Sequence, residues 1–302
     1  MVWAAFVVPE GAIAQDEIPF RVERDRVIIP TSINGSDPLA VVLDTGMGLK
    51  GVYLFRREYE ELMDASGRVQ VQIPGAGTGA APTALVVDEQ SIRMGSQALE
   101  AQPVFIGQGE RTQGWSFDGI IGKSLLAYHA VELDYDASVI RLHDLSWNPQ
   151  DPGWTRIPVR MERGLPWFQV EVETEPGAVQ TTEVYIDLAS NENLELLVGG
   201  GRPFSAPEGA EEMYLGEGLS GEIRGWRGEV HRVRVGGYDL FQRPATWADA
   251  EARSNHREAD TEASAQETEV VLRRFGIHCR AHVLNGGEES VQHGFSSRLL
   301  RF

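Results

Sequence analysis

Two apolar stretches of this chain, 143 residues apart, run straight into an aspartate. The first is Leu39-Ala40-Val41-Val42-Leu43-Asp44-Thr45-Gly46, and the second is Val184-Tyr185-Ile186-Asp187-Leu188-Ala189-Ser190. Apolar runs of this length, rich in β-branched residues and preceded in the first case by Pro38, read as buried strands. A buried strand should not end on a carboxylate unless that group is paired or used, because an unpaired buried charge is costly. Gly46 allows a sharp turn just after the acid, and the Thr45 hydroxyl is placed to fix that turn. Other landmarks recur at nearly the same spacing. Ile92-Arg93-Met94-Gly95, followed by Leu99 and Pro103, aligns without gaps with Val233-Arg234-Val235-Gly236, followed by Leu240 and Pro244. The chain therefore reads as a duplicated unit, with one aspartate per copy.

The rest of the sequence fits two β-rich units. With 33 glycines, 15 prolines and short apolar runs, it favours strands over long helices. Val69-Gln70-Val71-Gln72-Ile73 alternates as a strand, and Asn34-Gly35-Ser36, although also a glycosylation sequon, reads as a hairpin turn. A short helix is expected around Arg56 to Leu62. The turn-rich stretch Trp147 to Trp154 marks a boundary. It gives a first lobe over 15–148 carrying Asp44 and a second over 149–302 carrying Asp187.

The first half resembles the aspartic peptidases of the pepsin-like and retropepsin-like group, including their bacterial members. Asp44-Thr45-Gly46 matches that family's catalytic motif. Asp118-Gly119-Ile120-Ile121-Gly122 matches the apolar-apolar-Gly element that crosses behind the catalytic loop. Leu125-Leu126 and Val131-Glu132-Leu133-Asp134-Tyr135 continue the pattern. The resemblance covers roughly residues 17 to 250. It implies an all-β, two-lobed pepsin-like fold, each lobe a small closed β-barrel-like unit, with Asp44 and Asp187 as a catalytic dyad. Thr45, Gly46, Ala189 and Ser190 would form the supporting loops. The glycine-rich tip at Gly75, Gly77, Thr78 and Gly79 would be the flap over the substrate, although it lacks the Tyr often found there. Gly216 to Gly228 is expected to supply a partner hairpin.

The chemistry follows from pairing. Two adjacent carboxylates cannot both ionise easily, so the pair carries one proton over a wide pH range and titrates as a unit. Such a dyad activates water against a peptide carbonyl without a cofactor or a metal. The second copy departs from the motif. Leu188 stands where Thr45 stands in the first, removing a hydroxyl, and Ala189 replaces Gly46, which should crowd the meeting of the loops. Three readings stay open: a single-chain endopeptidase, a non-catalytic two-lobed peptide-binding relative, and a peptidase formed by pairing two first lobes.

A formal net charge of −18 argues against nucleic acid or an anionic membrane as partner. The expected partner is an extended polypeptide, met by a monomer. Val2 to Val8, followed by Ala12-Ile13-Ala14, reads as a signal-peptide remnant over 1–14. It implies an exported protein, periplasmic or secreted, without stable membrane insertion. The glycine-rich stretch Pro74 to Pro82 leads into another strand rather than a helix, so a dinucleotide loop is not indicated. The C-terminal part, 251–302, is atypical. Glu251 to Glu269 is polar, with little to bury, and is expected to pack loosely. Ala259-Asp260-Thr261-Glu262-Ala263 stands where a second apolar-apolar-Gly element should be, which makes the second lobe degenerate at its end. His278, Cys279 and His282 form only a weak cluster of metal-ligand types.

Overall fold

The computed structural model describes residues 17–63, 67–147, 154–162, 164–252, 266–273 and 299–301. The leader-like segment, residues 259–263 and the His278–His282 cluster lie outside them. The fold is all-β, as the sequence implies. The first half contains β1 (Glu17–Pro19), β2 (Arg21–Glu23), β3 (Arg26–Ile33), β4 (Leu39–Leu43), β5 (Val52–Leu54), β6 (Val69–Gln72), β7 (Thr83–Met94), β8 (Gln97–Gly107), β9 (Gly119–Ile121), β10 (Ala130–Asp134) and β11 (Val139–His143). Its helical pieces are short: a 3-10 helix over Arg57–Leu62 and α1 (Lys123–Leu126). The second half contains β12 (Trp154–Glu162), β13 (Leu165–Glu173), β14 (Val179–Tyr185), β15 (Glu195–Val198), β16 (Met213–Gly218), β17 (Gly221–Val235), β18 (Tyr238–Asp249), β19 (Gln266–Arg273) and β20 (Leu299–Arg301). Among the described residues no helix is long and apolar enough to cross a membrane.

Six strands of the first half close into a barrel, in the order β3, β4, β9, β5, β8, β7 and back to β3. The strand that bears Asp44 reads as a continuous apolar run because both of its faces are buried. Val41 and Leu43 enter the barrel core with Ile29, Leu54, Ile106 and Ile121, while Val42 faces a second apolar layer with Tyr53, Phe55 and Phe117. Asn34 and Gly35 both have positive φ, and the Ser36 N–H donates to the Ile33 carbonyl, which makes the expected hairpin turn.

The duplication seen in the sequence extends to strand pairing. The pairs β3–β4, β3–β7, β6–β7, β7–β8 and the parallel β5–β8 recur as β13–β14, β13–β17, β16–β17, β17–β18 and the parallel β15–β18. One part has no counterpart among the described residues. Between β4 and β5 lies β9, whereas no strand lies between β14 and β15. The second apolar core, which includes Val170, Val172, Val230 and Trp247, is separate from the first. A continuous sheet nevertheless joins the halves, because β10 pairs with β20 and β19 with β12. From Gln266 to Arg273 the backbone is a strand, consistent with the β-branched and apolar Val270-Val271-Leu272 that follows the polar stretch.

Candidate active site

Asp44 stands where β4 ends, and its N–H donates to the Ile121 carbonyl at 2.8 Å, so β9 holds the loop from behind. β9 is itself anchored by Asp118. One Asp118 carboxylate oxygen accepts from the Ala40 N–H at 2.6 Å, and the other accepts from Arg56 and the Tyr59 hydroxyl, each at 2.5 Å. Ile121 and Ile120 point to opposite faces, as strand geometry requires. Ile121 is buried in the barrel core, and Ile120 lines the cleft.

Asp187 follows β14, and the loop after it turns back to bind it. The N–H groups of Ala189 and Ser190 donate to Asp187 Oδ1 at 2.9 and 3.1 Å. The two aspartates meet at Gly46. A β-carbon there would sit 2.9 Å from Asp187 Oδ2 and 3.1 Å from Asp44 Oδ1, so both carboxylates press on the same face of one residue and only glycine leaves them room. Asp44 lines the cavity between the two halves and is partly buried. Burial, and next the charge of Asp187, push its carboxyl well above the usual carboxylate range. The N–H groups of Gly46 and Met47 and the charge of Arg26 pull the other way.

The loops are clasped from one side only. Thr45 Oγ1 donates to the Ile186 carbonyl at 2.7 Å and accepts from the Leu188 N–H at 3.0 Å, so one buried hydroxyl serves both loops. Leu188 returns no hydroxyl and instead packs against the first barrel core. The crowding expected at Ala189 is not found. Its side chain packs against the apolar layer of the first half, and its carbonyl accepts from Arg26 Nε at 2.9 Å. Ser190 supports Asp187 through its backbone, while its hydroxyl accepts from the Glu192 N–H at 3.2 Å. Thr45→Val is expected to lower stability by about 1–3 kcal/mol, because it leaves a buried carbonyl and N–H unpaired. Thr45→Ser should restore most of that, as chemical denaturation of the three chains would show.

The glycine-rich tip between β6 and β7 meets the turn between β16 and β17. The Ser220 N–H donates to the Ala76 carbonyl and the Gly79 N–H to the Ser220 carbonyl, both at 2.7 Å; the Thr78 N–H donates to the Glu222 carbonyl at 3.2 Å. Glycine is required where the tips touch, since a β-carbon on Gly77 would lie 2.3 Å from the Gly221 nitrogen. Gly75 and Gly77 are buried beneath this clasp, whereas Thr78 and Gly79 are exposed. Beneath it lies a cavity of about 650 Å³ that holds Asp44, Gly46 and Asp187, walled by Phe117, Ile120, Tyr214 and Leu219 among others.

Arg24 and Arg26 also line this cavity, and the sequence reading missed them. The available signal was an arginine opening an otherwise apolar strand, just after an Arg-Asp turn. Among the described residues, no three His, Cys, Asp or Glu side chains are grouped to hold a metal ion.

No protein-family model and no curated protein matches the chain. Among solved structures, a retropepsin-like aspartic protease from Rickettsia conorii is similar at 17% identity. The match covers 42% of this chain and 90% of that chain, with a TM-score of 0.32.

Proposed function

We propose that the protein is an aspartic endopeptidase that uses Asp44 and Asp187 as a single dyad. The observation that carries this reading is the convergence of both carboxylates on Gly46 inside one covered cavity. The raised Asp44 carboxyl supports a pair that shares one proton. In the reaction, the ionised member of the pair takes a proton from water as its oxygen attacks the peptide carbonyl carbon. The protonated member donates to the carbonyl oxygen. The tetrahedral diol then collapses, the C–N bond breaks, and a proton passes to the departing amine, leaving a carboxylic acid and an amine. The pair acts as a unit, so neither residue alone is assigned the acid or the base role. The clasped hairpins keep bulk water from the reacting groups.

The cavity suits an extended chain rather than a folded partner, so the proposed substrate is an unfolded polypeptide. Monomeric action is part of the same reading, because one chain supplies both aspartates. So is export, for which the apolar N-terminal run is the support. The test is incubation of the full chain with an unfolded protein such as reduced casein across acidic to neutral pH. Cleavage that a pepstatin-type inhibitor suppresses is the expected result. Cleavage indifferent to that inhibitor but stopped by serine- or cysteine-directed reagents, or no cleavage at any pH, would overturn the proposal.

A further inference from the structure

The charges that line the cavity are not balanced alike. Besides the two aspartates, Glu192, Glu195 and Glu217 face it; Glu192 accepts from Arg227 at 2.9 Å, and Glu217 lies 3.4 Å from Arg111. Neither Arg24 nor Arg26 makes such an ion pair, although Asp187 and Asp44 lie close enough to favour the Arg26 cation. Among the described residues neither lies within ion-pair distance of a carboxylate, although acids outnumber bases 45 to 27 in this chain. Arg24 donates to the Ser116 hydroxyl at 2.9 Å, and Arg26 to the Ala189 and Arg24 carbonyls at 2.9 and 3.3 Å. These hydrogen bonds to neutral groups leave the Arg24 charge uncompensated, while Arg26 shares the field of the two aspartates.

Their placement is built rather than incidental. Arg24 and Asp25 form the turn between β2 and β3 with φ of 48° and 70°, a left-handed conformation that non-glycine residues adopt at a cost. The Arg26 guanidinium lies 5.8 Å from the Phe117 ring centroid, so its face is carried on an aromatic wall. Burial and the charge of nearby Arg24 both disfavour the Arg26 cation, and the two aspartates offset them. Two guanidiniums side by side at the rim of one partly enclosed cavity, with donors left over beyond those bonds, suit one class of ligand group, a planar carboxylate.

We infer that Arg24 and Arg26, with Ser116 and Phe117, form a subsite for an acidic side chain of the substrate close to the bond that is cut. This deepens, and rests on, the peptidase reading above. The subsite makes the cleft selective for polypeptides that carry Asp or Glu near the scissile position, against the general repulsion of such chains by a protein of net charge −18.

The test offers the full chain an equimolar library of random dodecapeptides and sequences the products by mass spectrometry. Asp and Glu should be enriched at least about fivefold at one position within two residues of the cut. In parallel, the Asp44→Asn chain captures uncut peptides from the same library, which reads selectivity without catalysis. The same acidic enrichment is expected there, and adding Arg24→Glu to that chain should turn it toward Lys and Arg. Cleavage without acidic enrichment would overturn the subsite, as would enrichment unchanged by both Arg24→Glu and Arg26→Gln. Capture of acidic peptides without any cleavage by the unmodified chain would leave the subsite standing and defeat the peptidase reading. Absence of both capture and cleavage would defeat both.

Discussion

Asp44→Asn is expected to abolish peptide cleavage, with kcat falling by about a thousandfold or more, because Asn keeps the shape of the side chain but cannot accept the proton of the attacking water. Asp187→Asn should do the same. Full activity in the Asp187 variant would instead mean that two first halves pair in solution. Asp44→Asn has an opposite signature in stability. The Asp44 carboxyl is raised in the folded protein, so the folded state holds its proton to higher pH than the unfolded chain does. Below the ordinary carboxylate range both states are protonated and the group contributes nothing. As pH rises from that range toward the raised folded value, the unfolded chain ionises first and stability is lost; above the folded value the loss is complete and constant. Asp44→Asn removes this penalty. Its midpoint of chemical denaturation should therefore be at least that of the unmodified chain near neutral pH, and should fall less steeply between acid and neutral conditions. A variant both inactive and strongly destabilised at neutral pH would contradict the assignment of Asp44 as a strained, functional acid.

Gly122→Ala is expected to destabilise the fold by more than about 3 kcal/mol, among the largest effects of any single substitution. A β-carbon at that position would lie 2.1 Å from the Asp44 carbonyl oxygen and 2.8 Å from that of Met47. Both atoms are backbone, so no rotamer change relieves the clash. The loop that carries Asp44 would have to leave β9, and activity would go with it. Urea denaturation followed by tryptophan fluorescence measures the cost directly. A loss under about 1 kcal/mol would mean that the aspartate loop is not held against Gly122 in the way described.

Much of this site was legible because its parts are local in sequence. An apolar run ending in Asp-Thr-Gly, an Ile-Ile-Gly element and two glycine-rich tips each carry their signal within a few residues. The repeat spacing then indicated that the two aspartates belong together. What escaped reading depends on long-range placement. Arg26 is 163 positions from the carbonyl it binds at Ala189, and no periodicity encodes that distance. Its charge marked the position as polar, but only folding sets it beside the dyad. The effect of Ala189 was misjudged for a related reason. A methyl group reads as crowding when compared with glycine in the other copy, yet in the fold it packs against an apolar layer of the first half. Met47, which follows Gly46, is buried in the same layer.

The meeting of the two hairpin tips has a thermodynamic consequence. It is held by three backbone hydrogen bonds between the tips, each contributing about 1 kcal/mol net. At its centre the Ser220 hydroxyl is buried with no hydrogen-bond partner, which offsets about 1–3 kcal/mol of that gain. The closed arrangement is therefore favoured over an open one by a few kcal/mol at most, before any contribution from the apolar contacts beneath it. A ligand that can enter only when the tips part would bind only the open fraction of molecules. Its apparent dissociation constant is the intrinsic one divided by the open fraction. Since the bonds run between main-chain atoms, this factor is common to all ligands. It scales every affinity together and leaves discrimination among them to the walls of the cavity.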